Sequence, residues 1–146
     1  MLRQYMELKA ERPEVILLIR VGDFFEAYGV DATLIAAALD ITLTGRDVNG
    51  MDERLPMAGV PYHALDRYLA RLVQQGHKVA ICDQIEDPKQ AKGLVRRAIT
   101  RVVTPGTLVE DALLDARSNN FLVAAILRTP IAGIGVVDVS TGEFLV

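Results

Sequence analysis

The sequence predicts an α/β fold, with a mixed β-sheet flanked by helices and followed by a short β-meander that begins a second domain. Short apolar runs rich in valine and isoleucine alternate with stretches whose apolar residues recur at helical spacing, and the chain ends in strand-like runs only. The 146 residues, 51% hydrophobic and 24% charged, suffice for one domain with a buried core and part of a second.

Turn and cap residues mark where the predicted elements begin and end. Pro13 ends the first helix, Gly22 turns the chain between two strands, Asp31 caps the second helix, and Gly76 ends the third. The other predicted boundaries follow from periodicity. Helices are predicted at 2–12, 32–39, 63–75 and 109–117; strands at 15–20, 24–28, 40–44, 78–85, 94–103, 121–127, 133–139 and 143–146; an exposed loop at 45–55 and a turn at 56–61.

The predicted domain boundary is the polar run Ser118-Asn119-Asn120, which gives a first domain at 1–117 and a second at 118–146. Its meander is too small to bury both faces, so we expect these strands to be a truncated part of a larger unit.

Composition limits the function classes. A net charge of −3 argues against a general polyanion binder, although no acid lies between Asp87 and Glu110. The one cysteine, Cys82, cannot form a disulfide within the chain and fits a reducing compartment. We expect a soluble, cytoplasmic protein, because no signal peptide or membrane-spanning run is visible. The basic residues of the acid-free stretch are Lys89, Lys92, Arg96, Arg97 and Arg101.

The most informative segment follows the first predicted strand. In an extended segment after Gly22, one of Phe24 and Phe25 points inward and the other outward, and Glu26 shares the side of Phe24. An exposed aromatic beside an acid suits a wedge that unstacks bases and a group that hydrogen-bonds one of them. The alternative is a structural or protein-interaction module with both phenylalanines in the core and a solvated Glu26.

The sequence offers little support for catalysis. Asp83, Glu86 and Asp87 are a candidate magnesium site for a nuclease, but their spacing does not place them on one strand face. His63 and His77 have no metal-binding partner at ligand spacing, and no nucleotide-binding loop is present. We therefore predict no catalytic residue, cofactor or metal on this chain.

Several motifs together resemble one family. Gly22-Asp23-Phe24-Phe25-Glu26 is similar to the Gly-Asp-Phe-Tyr-Glu signature of the MutS family of bacterial DNA mismatch-repair proteins, with Phe25 where tyrosine is common. The resemblance implies an N-terminal mismatch-recognition domain followed by the first strands of a connector domain, without the ATPase of the family. The similar motifs that follow in order lie at 39–44, 56–63, 79–85, 101–107 and 138–144.

The resemblance also implies residue roles and partners. Phe24 would stack on a mispaired base from the minor groove, Glu26 would hydrogen-bond that base, and Arg46 and Arg97 would contact the DNA backbone. The expected ligand is double-stranded DNA with mismatches or small loops. The full-length parent would be a homodimer with a MutL-type partner, and only that parent would use ATP and magnesium.

Overall fold

The computed structural model describes residues 1–50, 52–86, 93–105, 119 and 121–146. The predicted helix at 109–117 and the predicted start of the second domain at Ser118 lie outside these residues. The division of the chain at residue 117 therefore stays a prediction.

The first part of the chain folds around a six-stranded mixed sheet, which confirms the predicted α/β class. Its strand order is β3-β4-β2-β1-β5-β6, in which only β1 and β5 run parallel. The strands are β1 (Ile16–Val21), β2 (Phe24–Tyr28), β3 (Thr44–Arg46), β4 (Leu55–Pro61), β5 (Val79–Gln84) and β6 (Arg97–Val103), and the helices are α1 (Leu2–Glu11), α2 (Val30–Leu39) and α3 (Leu65–Gln74), with a 3₁₀ turn at Tyr62–Ala64 before α3.

Helices cover both faces of this sheet, because alternate residues of its apolar strands point to opposite sides. One face packs against α2 and α3 through a core that contains Phe25, Ile35 and Leu69. The opposite face packs against α1 through a smaller core that contains Tyr5, Ile19 and Tyr28. We call this second face the α1 face, and the candidate site lies on it.

Asp31 has a different role from the predicted helix cap. Helix α2 begins two residues earlier than predicted, at Val30, with Gly29 at its N-cap, and the Asp31 side chain is buried. Its carboxylate accepts hydrogen bonds from the Tyr5 hydroxyl at 3.0 Å and the Leu17 backbone N–H at 2.9 Å, and it pairs with Lys9 Nζ at 2.9 Å. Burial of a carboxylate requires such partners, so Asp31 ties α1 and β1 to the start of α2.

Three predictions between α2 and α3 are wrong in whole or in part, and one is the loop at 45–55, which contains most of β3 and the first residue of β4. Residues 40–43 form no strand, because Asp40 adopts a left-handed conformation (φ 56°) that ends α2. The segment 56–61 is not a turn but most of β4, an interior strand paired with β2 and β3. The prolines that suggested a turn, Pro56 and Pro61, lie near its two ends, where the lost N–H donors disturb the ladder least.

The last described residues form a separate antiparallel sheet, which confirms the predicted meander. Its strands are β7 (Phe121–Arg128), β8 (Ile131–Asp138) and β9 (Phe144–Leu145), in the order β7-β8-β9. Asp138 is buried, and its carboxylate accepts a hydrogen bond from Asn119 Nδ2 at 2.8 Å. Most of the apolar side chains of this sheet are exposed in the chain as described.

Candidate nucleic-acid interface

The site is built on the tight turn between β1 and β2. Gly22 has a φ of 58°, which L side chains rarely adopt, and Asp23 completes the loop before Phe24. Arg20 Nε donates to the Gly22 carbonyl at 2.5 Å, and its guanidinium lies 4.2 Å from the centroid of the Tyr62 ring. The Tyr62 backbone N–H donates to the Asp23 carbonyl at 2.9 Å. Contacts from both flanking segments thus fix the turn.

The two phenylalanines have opposite environments. Phe25 is 3% exposed in the core under α2 and α3, whereas Phe24 is 48% exposed. Glu26 lies on the same side of β2 as Phe24, as alternation predicts. This confirms the predicted outward aromatic and inward aromatic, and it contradicts the alternative in which both rings are in the core.

Glu26 is held by a chain of hydrogen bonds across β2, β4 and β3. The Tyr28 hydroxyl, on the same side of β2, contacts Glu26 Oε2, and Arg46 Nη1 donates to that hydroxyl at 2.9 Å. The Tyr28 residue is 2% exposed, while Arg46 is exposed. Burial raises the pKa of Tyr28, and Glu26 raises it further by hydrogen bonding and charge, whereas Arg46 lowers it.

An open groove of about 520 Å³ adjoins Phe24 on this face. A Cβ atom at Gly59 would stand 3.2 Å from the Phe25 carbonyl oxygen and 3.4 Å from Glu26 Cγ. Because glycine has no Cβ atom, β4 can lie close to Glu26 at this position. The groove is lined by Phe24, Glu26, Asp40, Ile41, Thr42, Thr44, Met57 and Gly59.

Arg97 lies on the α1 face, as Arg46 does, but its guanidinium is engaged within the chain. Nε donates to the Arg20 carbonyl at 2.7 Å, and Nη1 donates to the Val95 carbonyl at 2.8 Å and to Gln4 Oε1 at 3.3 Å. The pKa of the N-terminal amine is lowered by burial, then by the positive charges of Arg97 and Arg46. Arg46 and Arg97 thus both lie on the same face of the sheet as Phe24 and Glu26.

The rest of the predicted basic stripe is spread out. Lys89 and Lys92 lie outside the described residues, and Arg96 is exposed. Arg101 lies 3.5 Å from the Asp66 carboxylate. The described residues of the stripe therefore form no single cationic surface.

Comparison with known proteins identifies the family. The family described as MutS domain I matches residues 1–112. The chain belongs to the MutS domain I family. It is similar to the DNA mismatch repair proteins MutS of Methanothrix thermoacetophila (55% identical over 99% of this chain), Symbiobacterium thermophilum (56% over 99%) and Pseudothermotoga lettingae (55% over 100%). The chain spans only 17%, 16% and 17% of the lengths of these three relatives.

Two of the three acids considered for a nuclease are described in this MutS domain I, and both accept hydrogen bonds from backbone N–H groups. Asp83 Oδ1 accepts a hydrogen bond from the Gln84 backbone N–H at 2.7 Å, and Glu86 Oε1 accepts one from the Arg96 N–H at 2.6 Å. The third acid, Asp87, lies outside the described residues. Among the residues that are described, no group of three or more histidines, cysteines and acids is placed to hold a metal ion.

Sequence reasoning gave no individual role in the candidate site to Arg20, Tyr28 or Tyr62, and it placed Gly59 in a predicted turn. The alternation that placed Glu26 beside Phe24 also places Tyr28 on that side, so its position was readable. The other three contacts depend on how β1 and β4 pair with β2, which no local pattern reveals.

None of the helices in the described part of the chain is long and apolar enough to span a membrane.

Proposed function

We propose that this chain recognises mispaired or unpaired bases in double-stranded DNA, within a longer mismatch-repair protein of the MutS type. In this proposal Phe24 enters from the minor groove and stacks on the affected base, and Glu26 forms a hydrogen bond with that base. Arg46 and Arg97 contact the DNA backbone. The observation that carries the proposal is the pairing of an exposed aromatic with an acid on one side of a rigid turn.

The geometry suits a detector that does not read base identity. Unstacking a base step costs a few kcal/mol, and a mismatched base is stacked and paired less firmly, so deforming the duplex there costs less. Stacking of a base on an aromatic ring recovers roughly 1–3 kcal/mol whatever the base. Phe24, 48% exposed on a turn that Arg20 and Tyr62 hold, is available for such stacking without unfolding the core.

Arg46 is well placed for a backbone contact. Its hydrogen bond to the Tyr28 hydroxyl uses Nη1 only, which leaves other guanidinium donors for a phosphate oxygen. Arg97 reaches the same side, but its bonds to Arg20, Val95 and Gln4 also give it a structural role. We therefore expect Arg97→Ala to lower both stability and DNA affinity, and Arg46→Ala to lower affinity chiefly.

The remaining parts of the proposal concern the longer protein. The relatives are about six times the length of this chain, to judge from the 16–17% of their length that it spans. We propose that ATP and magnesium are used outside these 146 residues, that this segment is not itself an enzyme, and that the whole protein is a cytoplasmic homodimer with a MutL-type partner.

The test uses a chimera in which this chain replaces the segment that it matches in the Pseudothermotoga lettingae relative. Affinities for a mismatched duplex and for the matched duplex of the same length are measured at fixed salt concentration, because phosphate contacts make both salt-dependent. Phe24→Ala should remove most of the preference for the mismatch, and Phe24→Tyr, which keeps an aromatic ring, should retain it.

Met6→Ala is the control, since Met6 is also a large apolar residue, 46% exposed, and it lies on α1. It should change discrimination less than Phe24→Ala does. Wild-type discrimination in the Phe24→Ala chimera would refute the wedge, and the proposed function with it.

A further inference from the structure

The feature that carries a further inference is the hydrogen-bond chain from Arg46 through Tyr28 to Glu26. Tyr28 follows Glu26 by two residues, so both side chains rise from the α1 face of β2. Arg46 reaches them from β3, with β4 in between. The Tyr28 ring is fixed by packing, because its centroid lies 5.0 Å from that of Tyr5 in an edge-to-face contact.

The chemistry of the three groups fixes the direction of this chain. A guanidinium has donors only, so the Tyr28 hydroxyl must accept from Arg46 Nη1. The single proton of the hydroxyl is then free to be donated. Glu26 Oε2 is the stronger acceptor within reach, the other being Met1 Sδ at 3.7 Å. As an ionised carboxylate oxygen, Glu26 Oε2 therefore accepts this hydrogen bond.

We infer that Tyr28 is a positioning residue for the proposed DNA contact of Glu26. Its hydroxyl occupies Oε2 and leaves Oε1 for the ligand, because within the described residues no donor to Oε1 is recorded. The chain thus selects which carboxylate oxygen meets the base and limits rotation of the carboxyl group.

The surroundings of Tyr28 favour such a role over simple packing. Its hydroxyl is hydrogen-bonded to two charged groups, Arg46 and Glu26, although the residue is 2% exposed. Bonds to charged partners are stronger than bonds between neutral groups, and in a buried setting they restrict geometry more. The N-terminal amine of Met1 is the other charged group close to Arg46.

The first test needs no DNA and is made on the 146-residue chain. The proton of a buried hydroxyl bonded to a carboxylate exchanges slowly and gives a downfield NMR signal. We expect such a signal for Tyr28, its loss in Tyr28→Phe, and its upfield shift in Glu26→Gln, where a neutral amide oxygen replaces the carboxylate. A Tyr28 hydroxyl proton that exchanges freely in the wild-type chain would overturn the inference, whatever the function of the protein.

The second test rests on the proposed function and uses the chimera. Tyr28→Phe should lower the ratio of mismatched to matched affinity about tenfold, as loss of a bond to a charged group predicts. Tyr5→Phe is the matched control. It removes a buried hydroxyl from the same core, bonded to Asp31 and to the Tyr28 backbone but not to Glu26.

A double-mutant comparison separates positioning from general damage. If Tyr28 acts through Glu26, Tyr28→Phe should have no further effect on discrimination in a Glu26→Ala background. An equal effect in both backgrounds, or an equal effect of Tyr5→Phe, would overturn the inference. Unchanged discrimination in Tyr28→Phe, together with its loss in Phe24→Ala, would also overturn it while leaving the proposed function in place.

Discussion

Phe24 and Phe25 are adjacent in the chain and differ in what they stabilise. Phe25 is 3% exposed among the side chains of α2 and α3, so Phe25→Ala should lower the free energy of unfolding by about 3–5 kcal/mol. Phe24→Ala removes a half-exposed ring and should lower it by about 0.5 kcal/mol or less. Denaturant unfolding of the 146-residue chain measures both. Equal losses would contradict the assignment of the two rings to opposite faces.

Because of Cys82, the free energy of unfolding of the chain should change with pH in the alkaline range. Burial raises the pKa of its thiol from 9.0 to about 11, with Arg97 opposing and Asp83 adding to the increase. In the unfolded chain the thiol ionises at its ordinary pKa, whereas in the folded chain it stays protonated. Stability should therefore be complete below pH 9 and fall as the pH rises from 9 to about 11.

Unfolding experiments across this pH range test the point against Cys82→Ala, which should lose this part of the pH dependence. The buried thiol of the folded chain should also react slowly with iodoacetamide at pH 8, because the thiolate is the nucleophile. Rapid labelling without unfolding would show that Cys82 is accessible.

At the scale of elements, the β1–β2 hairpin depends on the backbone conformation of Gly22. A Cβ there would meet no atom within 4 Å, so substitution is opposed by the positive φ of 58° and not by crowding. Gly22→Ala should therefore cost about 1–2 kcal/mol of stability. Gly22→Asn should cost less, since asparagine tolerates this region better. Thermal unfolding of the two variants measures the difference, and an equal loss would imply that the space at the turn matters instead.

The sequence predicted the elements whose patterns are local. Apolar runs located β1 and β5, and alternation after Gly22 placed the two phenylalanines on opposite sides and Glu26 on the side of Phe24, while the family resemblance indicated that Phe24 is the outward ring. Sequence reasoning failed at β4, because Pro56 and Pro61 are typical of turns but are tolerated at the strand ends. It also failed at Asp31, whose residue type suits a cap but whose burial follows from contacts with α1 and β1.

The candidate site was predictable only in part for the same reason. Glu26 and Tyr28 share a strand, so their neighbourhood follows from alternation. Arg46 reaches Tyr28 only because β4 pairs with both β2 and β3, in a register that the core and the ladder set together. No local pattern around Arg46 contains that information.

At the scale of the whole molecule, the β7–β9 sheet exposes many apolar side chains, including Leu127 at 84% and Ile131 at 72%. Contiguous exposed apolar surface drives association. We expect the 146-residue chain to self-associate as its concentration rises, which sedimentation velocity would show. Leu127→Lys together with Ile131→Lys should reduce this association, while Arg3→Ala, a change at an exposed residue of α1, should not.

A chain that stayed monomeric at all concentrations would contradict this expectation. Proteolysis and amide exchange of 121–146 would then identify protected strands. Either result bears on the predicted second domain, because strands that need a missing surface behave differently from strands that fold by themselves.

Gly59 has a consequence for the inheritance of this site. Every missense change at a glycine codon adds a Cβ, and here that atom would stand 3.2 Å from a backbone carbonyl that cannot swing aside as a side chain does. The conflict is the same for alanine as for a charged residue, so scales of polarity or charge would misjudge it. A gene carrying this sequence therefore has a codon at which nearly every amino-acid change disturbs one groove. The damage would follow from geometry alone, in a strand that contributes no charged side chain to the site.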